Sequence, residues 1–103
     1  MRRLTMPKHI ADELQAVSLQ DLLTRRGLAH LRVRRHSTLL VVESGPEDDR
    51  VSHVRFRRHG AHIWTVEVAT HRGGWEPTPL RGQIEHLLEA VVTGFPWVLE
   101  PIE

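Results

Sequence analysis

The chain has 103 residues, 40% of them hydrophobic, and no cysteine, which is one domain's worth of sequence able to bury a core while excluding a disulfide framework or a thiolate metal site. No apolar run reaches the ~20 residues that span a bilayer, so no membrane partner is expected. Fourteen Lys+Arg against 13 Asp+Glu leave a net charge of +1, far from the cationic excess of a dedicated nucleic-acid binder.

Met1 to Pro7 carries Arg2 and Arg3 with no apolar run behind them. This is unlike a secretory signal, and a cytoplasmic location is expected. Pro7 suits a first helical position, and Ile10, Leu14 and Val17 follow at helical spacing. The phase breaks at Ser18, which with Asp21 resembles a capping box. Leu19, Leu22 and Leu23 resume the stripe and Gly27 can close it. The pattern predicts a helical segment over 7–26, bent or split near Ser18.

Leu31 and Val33 alternate with Arg32 and Arg34, giving a first strand. Thr38 to Glu43 is apolar on both faces, as in a central strand. Ser44 to Arg50 is a loop broken at Gly45-Pro46. Val51 to His71 then reads as a hairpin about Arg58-His59-Gly60, with glycine in the turn. In that register Val54 faces Trp64. Val54, Phe56, Trp64, Val66 and Val68 form an oily face, and His53, Arg55 and Arg57 point the other way.

Thr78-Pro79 looks like a helix start, a cap residue with proline behind it. Leu80, Ile84, Leu87, Leu88, Val91 and Val92 recur at helical spacing up to Gly94. The tail from Pro96 to Pro101 reads as extended. The fourth strand, about His62 to Thr70, would be an aggregation hazard as a naked edge, so the tail or a second copy is expected to cover it. The predicted fold is a single α+β domain over 1–103, in the order α-β-β-β-β-α. An antiparallel four-stranded meander packs against the C-terminal helix. This order resembles the double-stranded-RNA-binding domain, α-β-β-β-α. The last helix, however, starts Thr78-Pro79-Leu80-Arg81-Gly82-Gln83 instead of with that family's lysine cluster, and no functional residue carries across.

The candidate binding residues are Arg32, Arg34, His53, Arg55, Arg57 and Ile63 on the outer sheet face, around Leu39, Val41 and Ala69. An apolar centre with a charged rim is the anatomy of an interface. The alternative is that the N-terminal helix covers this centre and the arginines form a solvated rim. Arg72 and Trp75, in the loop after the fourth strand, are a second candidate, although Trp75 also suits a lid on the core. The leading expectation is a non-catalytic bacterial binding domain, self-associating as a homodimer through this face or the fourth-strand edge. One alternative is a small metal-independent ribonuclease or RNA-binding component of a toxin–antitoxin pair. Glu67, His53, His71, Arg55 and Arg72 supply the residue types for such chemistry without a diagnostic spacing. Another is an accessory or immunity-type protein with one specific protein partner. No catalytic residue, cofactor or metal is assigned. His59 and His62 lie close together, but neither has a third ligand in view.

Overall fold

Asp12 starts the first helix of the computed structural model, which describes residues 9–100. Its carboxylate accepts the Gln15 N–H at 2.8 Å, and the Gln15 side chain accepts the Asp12 N–H at 2.9 Å. This reciprocal capping box satisfies two donors that a helix start would leave bare. Helix α1 runs unbroken over Glu13–Arg25. The expected split at Ser18 does not occur, and the expected start at Pro7 lies outside the described residues. Asp12 supplies the cap, and Ser18 is simply an exposed position within the helix. The phase break has another cause. Leu19 and Leu23 are buried, whereas Leu14 and Val17 on the first half are 78% and 58% exposed.

Five antiparallel strands follow in sheet order β1-β2-β3-β4-β5: β1 Arg32–His36, β2 Leu39–Ser44, β3 Val51–Arg58, β4 Trp64–Ala69 and β5 Trp75–Gly82. Helix α2 spans Ile84–Gly94, and a short 3-10 turn spans Pro96–Leu99. The sheet therefore has one strand more than the sequence pattern predicts. Thr78-Pro79 does not open the last helix. Thr78 Oγ1 donates to the Val66 carbonyl at 2.9 Å across the β4–β5 pair, and the helix begins after Gln83. Pro77 and Pro79 are tolerated because β5 is an edge strand, where a missing N–H costs no ladder bond on the open side. Thr78, Pro79 and Leu80 bulge against Val66 alone, between the pairs Thr65↔Arg81 and Glu67↔Pro77.

β5 also removes the naked edge expected at β4. Neither the tail nor a second copy is needed there, because β4 lies between β3 and β5. The tail is not extended. It coils into the 3-10 turn and buries Leu99 to 1% exposure.

The β3–β4 register differs from expectation by four positions. Arg58 pairs with Trp64, Phe56 with Val66 and Val54 with Val68, so the connection is His59–Ile63. Arg58 holds this wider turn, donating to the Gly60 carbonyl at 3.0 Å and the Ala61 carbonyl at 3.3 Å. Because the offset is even, the side chains paired between β3 and β4 keep their predicted faces. At the Val42/Glu43 step of the β2–β3 ladder the register also shifts, and His53 becomes the extra residue of a bulge.

The core lies on one side of the sheet. Leu40, Val42, Val54, Phe56 and Val66 pack there with Leu19 and Leu23 of α1 and with Ile84, Leu87, Leu88 and Val91 of α2. Both helices thus share one sheet face. Among the described residues no helix crosses the other face.

Candidate functional site: a helix-free cationic sheet face

The pairing registers lay out the open face in rows. Arg34, Val41, Arg55, Glu67 and Pro77 form one row across the five strands, and His36, Leu39, Arg57, Thr65 and Arg81 form the next. Arg32 lies opposite Glu43 at one end, and Trp75 lies opposite Ala69. Leu39 and Val41 are only 9% and 4% exposed although no helix covers them. Their cross-strand neighbours are Arg34, His36, Arg55 and Arg57, whose apolar stems shield them while the charged heads stay in water. The apolar centre is therefore roofed by arginine, and α1 packs on the opposite side of the sheet in place of covering it.

Two carboxylates organise the arginines. Glu43 is buried, with Oε1 accepting Arg34 Nε at 3.0 Å and Arg50 Nη1 lying 3.8 Å away. Glu67 Oε1 accepts Arg55 Nε at 2.7 Å and Arg57 Nη2 at 3.2 Å. The Arg55 hydrogen bond, reinforced by the charges of Arg55 and Arg57, holds the Glu67 carboxyl below its usual pKa against the opposing effect of burial. The Arg55 guanidinium in turn lies over the Trp75 ring, 4.3 Å from its centroid, a cation–π contact. Arg32 and Arg81 make no ion pair among the described residues.

The face and the loop beside it carry Arg32, Arg34, Arg50, Arg55, Arg57 and Arg81 against Glu43, Glu47 and Glu67, a local charge of +3. Residues 9–100 together carry −1, so −4 remains for the other described residues. A nearly neutral composition thus hides a polarised molecule.

Of the sequence-derived candidates, Arg32, Arg34, Arg55 and Arg57 come together on this face. His53 does not. The bulge turns its ring away to bond the Val98 carbonyl through Nδ1 at 2.8 Å and Ser44 Oγ through Nε2 at 2.7 Å, and it is 3% exposed. Ile63 lies outside the paired strands. It closes the β3–β4 turn, its carbonyl accepting the N–H groups of His59 and Gly60 at 2.8 and 3.3 Å. Arg72 is exposed in the β4–β5 turn, whereas Trp75 lies on the open face at the start of β5. Trp75 also helps line an open cleft of about 770 Å³ at the end of the sheet, with Arg50, His53, His71, Trp97 and Val98. Arg81 and His36 were not foreseen on this face. Arg81 reaches this face through β5, a strand that the Thr78-Pro79 pair disguises and that the Trp75/Pro77 alternation signals.

Of the residues with the types for ribonuclease chemistry, His53 and His71 line the cleft at the end of the sheet, with His53 bonded to the Val98 carbonyl, while Glu67 is held by Arg55 and Arg57. A carboxylate stabilised in its charged form is a weak proton acceptor. His59 Nε2 bonds Thr65 Oγ1 at 2.8 Å. Among the described residues no three His, Asp or Glu side chains are grouped to hold a metal ion, and no helix is long and apolar enough to cross a membrane. No family model matches the chain, and no curated protein or solved structure is significantly similar to it.

Proposed function

We propose that this protein is a non-catalytic binding domain whose helix-free sheet face docks an anionic macromolecule. The observation that carries this reading is the separation of charge among the described residues: +3 on the open face and −4 elsewhere, with the apolar core consigned to the opposite side. Clustered charge of one sign steers an oppositely charged partner and raises its on-rate. The same charge argues against symmetric self-association through this face, since a two-fold contact would set one +3 surface against another.

Retention on immobilised heparin at increasing salt tests the reading. Arg32→Glu with Arg81→Glu should abolish retention. Arg25→Glu with Arg26→Glu changes the net charge equally, but at the end of α1, and should leave most retention intact. Equal losses from the two pairs would mean that only total charge matters and that the sheet face has no special role.

A further inference from the structure

Resting on that reading, we infer that the anionic partner is a single-stranded nucleic acid, with phosphates on the arginines and a base at Trp75. Three features separate this from an acidic protein surface. The first is the chemistry of the cations. All six on the face are arginine, as are 13 of the chain's 14 basic residues; the planar fork meets phosphate or carboxylate oxygens in pairs, and a partner with rings also uses its stacking face. The second is the Arg55–Trp75 stack, with the guanidinium 4.3 Å from the ring centroid. A guanidinium resting on an indole is a platform on which an unpaired base extends the stack. An acidic peptide offers such a π-face only where it carries an aromatic side chain, whereas every nucleotide carries one. The third is the position of Trp75, which belongs both to the cationic face and to the cleft of about 770 Å³ shared with Trp97, Arg50 and His71. That volume falls within the ~300–1,000 Å³ typical of small-molecule pockets, and it places a base slot at the end of a phosphate track.

The shape of the face selects single strands over duplex. Five strands about 4.8 Å apart make a platform roughly 19 Å wide. A B-DNA major groove is only ~12 Å wide and admits a helix or a two-stranded ribbon. Stacking on Trp75 likewise requires bases that are free of a partner strand.

The experiment uses the full chain and a labelled oligo(U) or oligo(dT) of roughly 12 nucleotides, within the ~4–16 covered by one single-strand-binding domain. Anisotropy is read over a range of salt concentrations, with labelled polyglutamate as the rival polyanion. About four phosphate contacts give a log–log salt slope of roughly −3, and Arg81→Ala should reduce that slope by about 0.7. Trp75→Leu should weaken oligonucleotide binding by about 5- to 150-fold and leave polyglutamate binding unchanged. Quenching of tryptophan emission on the unaltered protein, reduced in Trp75→Phe to what Trp97 in the same cleft contributes, reads the same stacking without depending on the stability of the leucine variant. Either oligonucleotide behaving in this way supports the inference. Polyglutamate binding as tightly as the oligonucleotides, indifference to Trp75→Leu, or unquenched emission overturns the inference and leaves the anion-binding face standing. Binding of neither probe overturns both.

Discussion

Glu67→Gln separates the two roles of the open face, stability and charge, in one substitution. In the folded protein Glu67 accepts the Arg55 Nε–H at 2.7 Å, with the two side chains 18% and 19% exposed. A charge-assisted hydrogen bond contributes about 1.5–3 kcal/mol and a neutral one about 1 kcal/mol. Glutamine keeps the acceptor and loses the charge, so about 1 kcal/mol is forfeited at Arg55. The Arg57 contact, at 3.2 Å and with that arginine 36% exposed, adds less because solvent screens it. The variant should therefore be about 1–2 kcal/mol less stable at neutral pH, or about 4–8 °C lower in Tm for each kcal/mol. The pH dependence has a definite sign. The folded pKa of Glu67 is lowered, so its contribution is complete above the ordinary carboxylate value of ~4.3 and fades as pH falls through the lower folded value. Urea titrations from pH 7 to about pH 3 should show the gap between wild type and variant closing at the acidic end, because a protonated Glu67 is nearly a glutamine. The face meanwhile becomes more cationic, so retention on heparin at pH 7 should rise. A stability loss that is the same at every pH, or weaker retention, would refute the assignment of Glu67 as the internal counter-ion of the face.

Further substitutions probe the frame that supports the face. Phe56→Ala removes a fully buried ring from the central strand and should cost about 3–5 kcal/mol by urea denaturation; Trp64→Ala, at 2% exposure, should cost as much. A loss below about 1 kcal/mol at either would mean the sheet is facing the wrong way. Leu14→Glu, at a site 78% exposed, should change stability by no more than about 0.5 kcal/mol, and a large loss would place that part of α1 inside the core. Gly45→Ala should destabilise by more than about 1 kcal/mol. The position has φ +85°, and an added Cβ would lie 2.9 Å from the Asp49 carbonyl oxygen; a neutral outcome would show that the loop relaxes.

Side-chain direction was legible in the sequence because it depends on parity alone. Val54, Phe56 and Val66 reach the core, and Arg55 and Arg57 the open face, even though the hairpin register moved by four. Exact register was not legible, because it is set by Arg58 reaching back to carbonyls in its own turn and to the Ile10 carbonyl at 2.8 Å. The missing strand had left a trace. An unprotected β4 demanded a partner, and Trp75–Gly82 is that partner, disguised by a Thr-Pro pair that reads locally as a helix cap. His53 was misplaced because a bulge breaks the strict alternation on which face assignment rests. Charge clustering across five strands could not be seen until β5 brought Arg81 and Trp75 alongside Arg57 and Arg55.

The most direct test of the central claim is an NMR titration of the full chain with oligo(U), following arginine Nε–H groups, tryptophan indoles and core methyls together. The account predicts shifts at Arg32, Arg55, Arg57, Arg81 and Trp75, with the methyls of Leu87 and Leu88 on α2 unmoved. Shifts confined to α1 or α2, with the sheet arginines silent, would contradict it.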